Sequence, residues 1–328
     1  MTTKTKSALS LAALGAVLGL LPSTPAEALN IKSYVAGTGS DANNCSTIPL
    51  ACATFQGALN KTAPGGEITV VNTGDYGLVS IISQSVNITN DGAGEASVAA
   101  NIGGGIGINA GAGDVVGLRG LLFDGFGAGT VGIQISSVSA VHIQNCVIRN
   151  LQASNSFGIE FVPVRNSQMF VSDTIIFNNG STSLTGGILI EPQNASSSAN
   201  VVLDRVHLEN NVDGLLIDGI VASGAGSHVV VRDSVISGNA ANGIHALTIA
   251  GKSPAFALVE RSTMVNNGQS GIRADGPGAT VLLKESTIAR NGTGVSTVNS
   301  GQLISYGNNT TNNNLGAEGT ATSFLSAF

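Results

Sequence analysis

Hydrophobic and polar positions alternate along this chain in short runs that recur. Val229–Gly238 reads VVVRDSVISG, and six stretches overlay it column by column: Val116–Gly125, Val141–Asn150, Met169–Asn178, Val201–Asn210, Ala257–Asn266 and Val281–Arg290. Taken in chain order, the seven starts lie 25, 28, 32, 28, 28 and 24 positions apart, so one unit repeats with loops of changing length. Self-similarity at such a period predicts a repeat architecture. The first, third, sixth and eighth columns are apolar or small. The third holds Leu118, Ile143, Val171, Leu203, Val231, Val259 and Leu283, and the eighth holds Phe123, Ile148, Ile176, Leu208, Ile236, Met264 and Ile288. Period-two alternation rich in β-branched residues predicts half-buried strands. The fourth and fifth columns break the alternation with charge (Asp204, Arg232, Glu260, Lys284; then Asp173, Arg205, Asp233, Arg261, Glu285), which predicts a bend between two short strands. With coils stacked about 4.8 Å apart, opposite signs lie over one another. Each exposed pair is worth only about 0–1 kcal/mol, but the pattern argues that like columns stack in parallel.

An Asn-rich turn follows each unit (Asn178-Asn179, Asn210-Asn211, Asn239, Asn266-Asn267, Asn291). A Gly-hydrophobic pair then opens a further strand: Gly158-Ile159, Gly187-Ile188, Gly214-Leu215, Gly243-Ile244, Gly271-Ile272 and Gly294-Val295. Asn and Gly tolerate left-handed backbone angles, so both are expected at a corner repeated in every coil. Stacked Asn side chains can also hydrogen-bond along a ladder. The corner accounts for the Asn without any catalytic role.

Residues 1–28 read as a secretory signal of bacterial type: Lys4 and Lys6, an apolar run from Ala8 to Leu21, then Ala26-Glu27-Ala28 with cleavage expected after Ala28. No later apolar run is long enough to span a membrane. A loop with a capping helix is expected over residues 29–66, the repeat over 67–306, and a tail over 307–328. The helix is read from TFQGALNK, Thr54–Lys61, with Phe55, Ala58 and Leu59 on one face, ahead of Pro64-Gly65-Gly66 and a first strand at Glu67–Val71. It would cover the open end of the first coil. Phe324, Leu325 and Phe328 would close the other end.

Composition agrees with one solenoid. There are 44 Gly in 328 residues, 10% charged residues and no Trp. The net charge of −6, or −7 without Lys4, Lys6 and Glu27, gives no support to nucleic-acid binding. In an exported chain, Cys45 and Cys52, seven apart, are expected to form a disulfide. Cys146 sits in the sixth, inward column with Thr174, Ser234 and Ser262, and reads as a core residue rather than a nucleophile.

These repeats, with the N-terminal Ser33-Tyr34-Val35, Gly39-Ser40-Asp41, Ala53–Leu59 and Pro64-Gly65-Gly66-Glu67-Ile68, resemble exported proteins of the pectate-lyase-like superfamily. The resemblance covers nearly the whole mature chain. It implies an all-β fold, a single-stranded right-handed parallel β-helix with a short N-terminal capping helix; the right hand also follows from the preference of parallel connections. The superfamily contains pectate lyases, polygalacturonases, and surface or adhesive proteins without known chemistry, so fold alone leaves function open. Polygalacturonase-like enzymes carry Asn-Thr-Asp, Asp-Asp, Gly-His-Gly and Arg-Ile-Lys on successive coils. Here Val212-Asp213-Gly214 is a fragment of the first, Gly243-Ile244-His245 departs from the third, and no Asp-Asp pair exists. Hydrolysis by paired carboxylates is therefore disfavoured. Pectate-lyase motifs and the calcium-binding nonapeptide repeat are also absent.

One constellation follows from alternation in the strand after each Gly. Its outward positions are Glu160, Leu189, Leu216, His245 and Arg273, and beside them Glu191, Asp218, Leu247 and Asp275. A lyase needs oxygen ligands for a hard cation and a nearby base. Glu191, Asp218 and Asp275 could supply the former to calcium, and Arg273, His245 and Asp218 are the candidate catalytic residues. Equally, these are the polar exteriors of ordinary strands, and the three Leu residues that interrupt the patch suit a packing loop or a partner surface. His142, His207 and His228 show no metal-site spacing. Two functions remain: a secreted or periplasmic β-helix of carbohydrate-binding, adhesive or envelope-structural role, with a polysaccharide or cell-surface glycan as partner, or a calcium-dependent lyase of a uronate polymer. The scarcity of Trp and Tyr as sugar platforms favours the first.

Overall fold

Each repeat folds as one coil of three short strands. The coil through Ser198–Asp204, His207–Glu209 and Asp213–Asp218 sends one strand to each of three sheets, and the coils before and after it do the same. The structure, a computed structural model, describes residues 28–101 and 103–326. Residues 1–27 of the expected leader, residues 1–28, and Phe328 lie outside the described residues. Along the chain a coil visits a first sheet of twelve strands, a second of ten and a third of nine. Neighbouring strands pair in parallel and in step, so residues of one column sit directly over one another: Val171 on Leu203, Leu203 on Val231, Val231 on Val259. The third- and eighth-column side chains all face inward and form one core running the length of the coil. This is the all-β right-handed parallel β-helix expected.

The charged bend between first and second sheets is a left-handed residue in every repeat. Asp173, Arg205, Asp233, Arg261 and Glu285 have φ of +50°, +53°, +51°, +46° and +51°. That conformation costs an L-residue about 1–2 kcal/mol. Ion pairs up the outside offset a part: Arg205 Nε to Asp173 at 2.7 Å, Arg261 Nε to Asp233 at 2.9 Å, and Arg232 Nε to Asp204 at 2.9 Å.

The second corner divides its work between two residues. The first is left-handed: Asn178, Asn210, Asn266 and Arg290, with Gly238 in the same place. The second is a ladder rung. Asn179, Asn211, Asn239, Asn267 and Asn291 are buried, and each side-chain oxygen accepts the backbone N–H of the corresponding residue one coil below, as Asn239 Oδ1 does from Asn211 N at 3.0 Å. The glycines that follow correct the expectation. Gly158, Gly187, Gly214, Gly243 and Gly271 do not have left-handed backbones. A Cβ on each would lie 2.4–2.8 Å from the carbonyl oxygen of the next glycine in the column. Glycine is required there by close approach of stacked backbones, not by φ.

The helix spans Phe55–Leu59, with the Thr54 hydroxyl accepting from Gly57 N and with Phe55, Ala58 and Leu59 buried. Ahead of it, Asn30–Val35 adds a strand that pairs with Thr62–Val70, so the sheet begins earlier than Glu67. Cys45 and Cys52 form a disulfide beside this helix, and Cys146 is a buried core thiol whose pKa burial pushes up to about 11. At the far end Phe324 and Leu325 do not supply the expected closure. Phe324 and Leu325 are exposed, because the strand Ser323–Phe324 adds to the edge of the first sheet instead of folding across the core.

Candidate functional site

The outer face of the third sheet holds the predicted constellation. Its two expected columns exist. Glu160, Leu189, Leu216, His245 and Arg273 stack in register, and Asp218, Leu247 and Asp275 stack beside them, with Glu191 immediately after Ile190 in the same line. Exposure differs from the expectation of a solvated face. Leu189, Leu216, His245, Asp218 and Asp275 are buried, and Phe157, Leu189 and Leu216 form an apolar cluster of their own, packed by Val162 and Leu247. Residues of adjacent coils shield one another here, as they do inside the core.

A third outward column went unnoticed in the sequence: Asp213, Asn242 and Ser270, each directly before the glycine of the Gly-hydrophobic pair. All three are buried. The signal available was that same position, one place ahead of each glycine and two ahead of the inward aliphatic residue. Asp213 Oδ1 accepts from both the backbone and side-chain nitrogens of Asn242 at 2.9 Å. Burial raises the Asp213 pKa, against the pull of those hydrogen bonds and of nearby His245 and Arg273. His245 lies between Leu216 and Arg273 in its column, and neither ring nitrogen has a hydrogen-bond partner. Burial lowers its pKa, Asp213 and Asp275 oppose that, and Arg273 reinforces it. At neutral pH the ring is therefore uncharged.

Arg273 is half-exposed, and its Nη2 lies 2.8 Å from Asp275 Oδ2. Burial alone would raise the Asp275 pKa, but hydrogen bonds from Arg273 and from Asn299 Nδ2 at 2.7 Å outweigh it and hold the carboxyl low. On the acidic side of the face, Glu191 is raised by burial and by the charges of Asp218 and Glu160. Burial raises Asp218 as well, and the N–H of Ile220 partly offsets this.

These residues do not assemble a calcium sphere. Leu247 separates Asp218 from Asp275 in the column, a gap of two coils or about 10 Å, whereas ligands of one calcium ion sit about 2.3–2.6 Å from it. Asp275 is engaged by Arg273 and Asn299, and Glu191 Oε1 accepts from Gln193 at 2.6 Å. Among the described residues no three His, Cys, Asp or Glu side chains are grouped to hold a metal ion. A hollow of about 410 Å³ lined by Asn30, Asn44, Asn60 and Lys61 among others lies far off, at the N-terminal end of the coil.

Two aromatic pairs stand on a different face, the outside of the first sheet. His142 stacks on Phe170 with ring centres 4.8 Å apart, and His228 tilts against Phe256 at 5.9 Å. A search for Trp and Tyr alone passes over them.

Residues 218–324 match the family described as right handed beta helix region. No curated protein matches the sequence. Among solved structures, the crystal structure of pectate lyase Pel9A superposes with a TM-score of 0.62 at 15% identity, over 90% of this chain and 78% of that one. A rhamnogalacturonan lyase gives 0.45 at 13% identity, over 83% of this chain and 75% of that one.

Proposed function

We propose that this right-handed parallel β-helix, pectate-lyase-like in fold, is an exported, non-catalytic protein that binds a polymeric glycan on the outer face of its third sheet. The observation that carries this reading is the state of the groups a lyase would use. A base must reach its substrate. His245 is nine-tenths buried, and Arg273 is ion-paired with Asp275. Neither is presented to a polymer for proton abstraction. Arg273 Nη1 nevertheless makes no hydrogen bond within the described residues, and Ser296 in the next coil and Asn299 extend a polar rim beside it. Such a rim suits hydroxyl and carboxylate groups of a sugar chain. The fold likeness to a pectate lyase directs the choice of glycan, and the Cys45–Cys52 disulfide suits an oxidising compartment outside the cytoplasm.

The test presents a panel of polyuronates and neutral glycans to the protein, measuring binding by calorimetry and unsaturated product by ultraviolet absorbance, with and without calcium. Saturable binding that weakens at least tenfold in Arg273→Ala, with no unsaturated product in either condition, is expected. Absence of binding to every glycan overturns the reading. Calcium-dependent product that disappears in Arg273→Ala overturns it in favour of a lyase.

A further inference from the structure

The outer face of the first sheet carries a stripe that no element of the described residues covers. From Phe170 to Ile304 its central column reads Phe170, Val202, Val230, Leu258, Leu282 and Ile304, one residue per coil, all half-buried and in unbroken register. On one side of it runs a column of charges: Asp204, Arg232, Glu260 and Lys284. On the other runs a polar and aromatic column that includes Asn200, His228, Phe256 and Thr280.

The order of the charges is informative. Read upward they run minus, plus, minus, plus. Read downward they run plus, minus, plus, minus, so the column is complementary to its own reverse. We infer that this face is a homodimer interface, in which two copies pack face to face with their coil axes antiparallel and the two-fold axis between the Val230 and Leu258 coils. Every column then meets itself reversed, as a two-fold contact requires. Arg232 faces Glu260 and Asp204 faces Lys284 of the second copy. Val230 faces Leu258, Val202 faces Leu282, and Phe170 faces Ile304. His228 of each copy meets Phe256 of the other. The corner charges follow the same rule, with Asp233 opposite Arg261 and Arg205 opposite Glu285. Turning the second copy so that the coils run parallel loses this match, because Glu260 would face Phe256 and Arg232 would face His228.

Six coils at about 4.8 Å by five residues at about 3.3 Å, with side-chain width, give about 500 Å² per chain and about 1,000 Å² in all. That is the low end for a specific interface, so the dimer is weak and concentration-dependent. Its charges also determine which orientation forms.

The orientation gives a charge-swap test. Arg232→Glu alone places Glu against Glu260 twice in its own dimer, and Glu260→Arg alone places Arg against Arg232 twice. Mixed one to one, they form a heterodimer in which both contacts pair opposite signs. Sedimentation velocity of the full chain over a concentration series is the readout, with thermal melts confirming that both variants fold. Wild type is expected to approach twice the mass of one chain as concentration rises, each variant to stay monomeric, and the mixture to regain the doubled mass. Wild type that stays monomeric at all concentrations, as when a glycan and not a second copy occupies the stripe, overturns the inference. So does a mixture that associates no better than either variant alone.

Discussion

The backbone N–H of Asn239 donates to the side-chain oxygen of Asn267 one coil above, at 3.2 Å, and the Asn239 side-chain nitrogen donates to the same oxygen at 2.8 Å. Asn239 in turn accepts from Asn211 N and donates to the Leu208 carbonyl. Removing this one side chain strands the buried Asn211 N–H, at a cost of about 1–3 kcal/mol, and takes away the second donor to the Leu208 carbonyl. Asn239→Ala is expected to lower stability to guanidinium unfolding by about 3 kcal/mol. Asn210→Gly, at the neighbouring left-handed position, is expected to change it by about 0.5 kcal/mol or less, because glycine takes that backbone freely.

Glycine substitutions divide by packing. An alanine Cβ at Gly214 would lie 2.6 Å from the Gly243 carbonyl oxygen and 2.8 Å from Ile236 Cγ2. Relief requires neighbouring coils to separate, so Gly214→Ala should cost about 1–3 kcal/mol or more. At Gly113 a Cβ meets nothing within 4 Å and the backbone is not left-handed. Gly113→Ala is expected to raise stability by about 0.4–1 kcal/mol through the unfolded chain. Denaturation midpoints of the pair should move in opposite directions.

His245 sets a pH dependence. Burial lowers its pKa in the folded chain below the ordinary 6.5. As pH falls beneath 6.5 the unfolded chain binds a proton that the folded one refuses, so this contribution to stability, complete above 6.5, is lost on acidification. The loss continues until the folded pKa is reached, at up to about 1.4 kcal/mol per pH unit. Neighbouring Asp213, with its pKa raised, has the opposite sign, losing stability as pH rises from 3.8 toward its folded value. Stability curves of the wild type and His245→Leu between pH 7 and pH 5 isolate the histidine. The wild-type curve should fall more steeply, and equal slopes would show that the ring is protonated in place.

The coil itself was legible because its signals are periodic. Leu203 and Leu208 mark inward positions, and Arg205 marks the bend between them, by recurring at the same offset in every unit. The outer face of the third sheet was legible only in placement. Alternation says which side of a strand His245 or Leu216 takes, but not what lies over that side. The enclosure of Leu216 comes from Phe157 and Leu189 in other coils, whose distance in sequence is set by loops of unequal length. Asp213 and Asn242 escaped for a related reason: the glycine after each breaks the alternation by which outward residues were counted.

The asparagine rungs also have a direction. Each amide oxygen accepts from the coil below, and the amide nitrogens of Asn179, Asn239, Asn267 and Asn291 donate upward to the oxygen of the next rung as well as downward to a backbone carbonyl. The side-chain dipoles therefore add head to tail through the interior, as peptide dipoles do in a helix. Their positive end emerges at Asn314, where the side-chain nitrogen lies 2.6 Å from the carboxylate of Glu318. An electrically polar stack thus ends on a fixed negative charge, so one more coil could be added at this end only by displacing that carboxylate from the donors it neutralises.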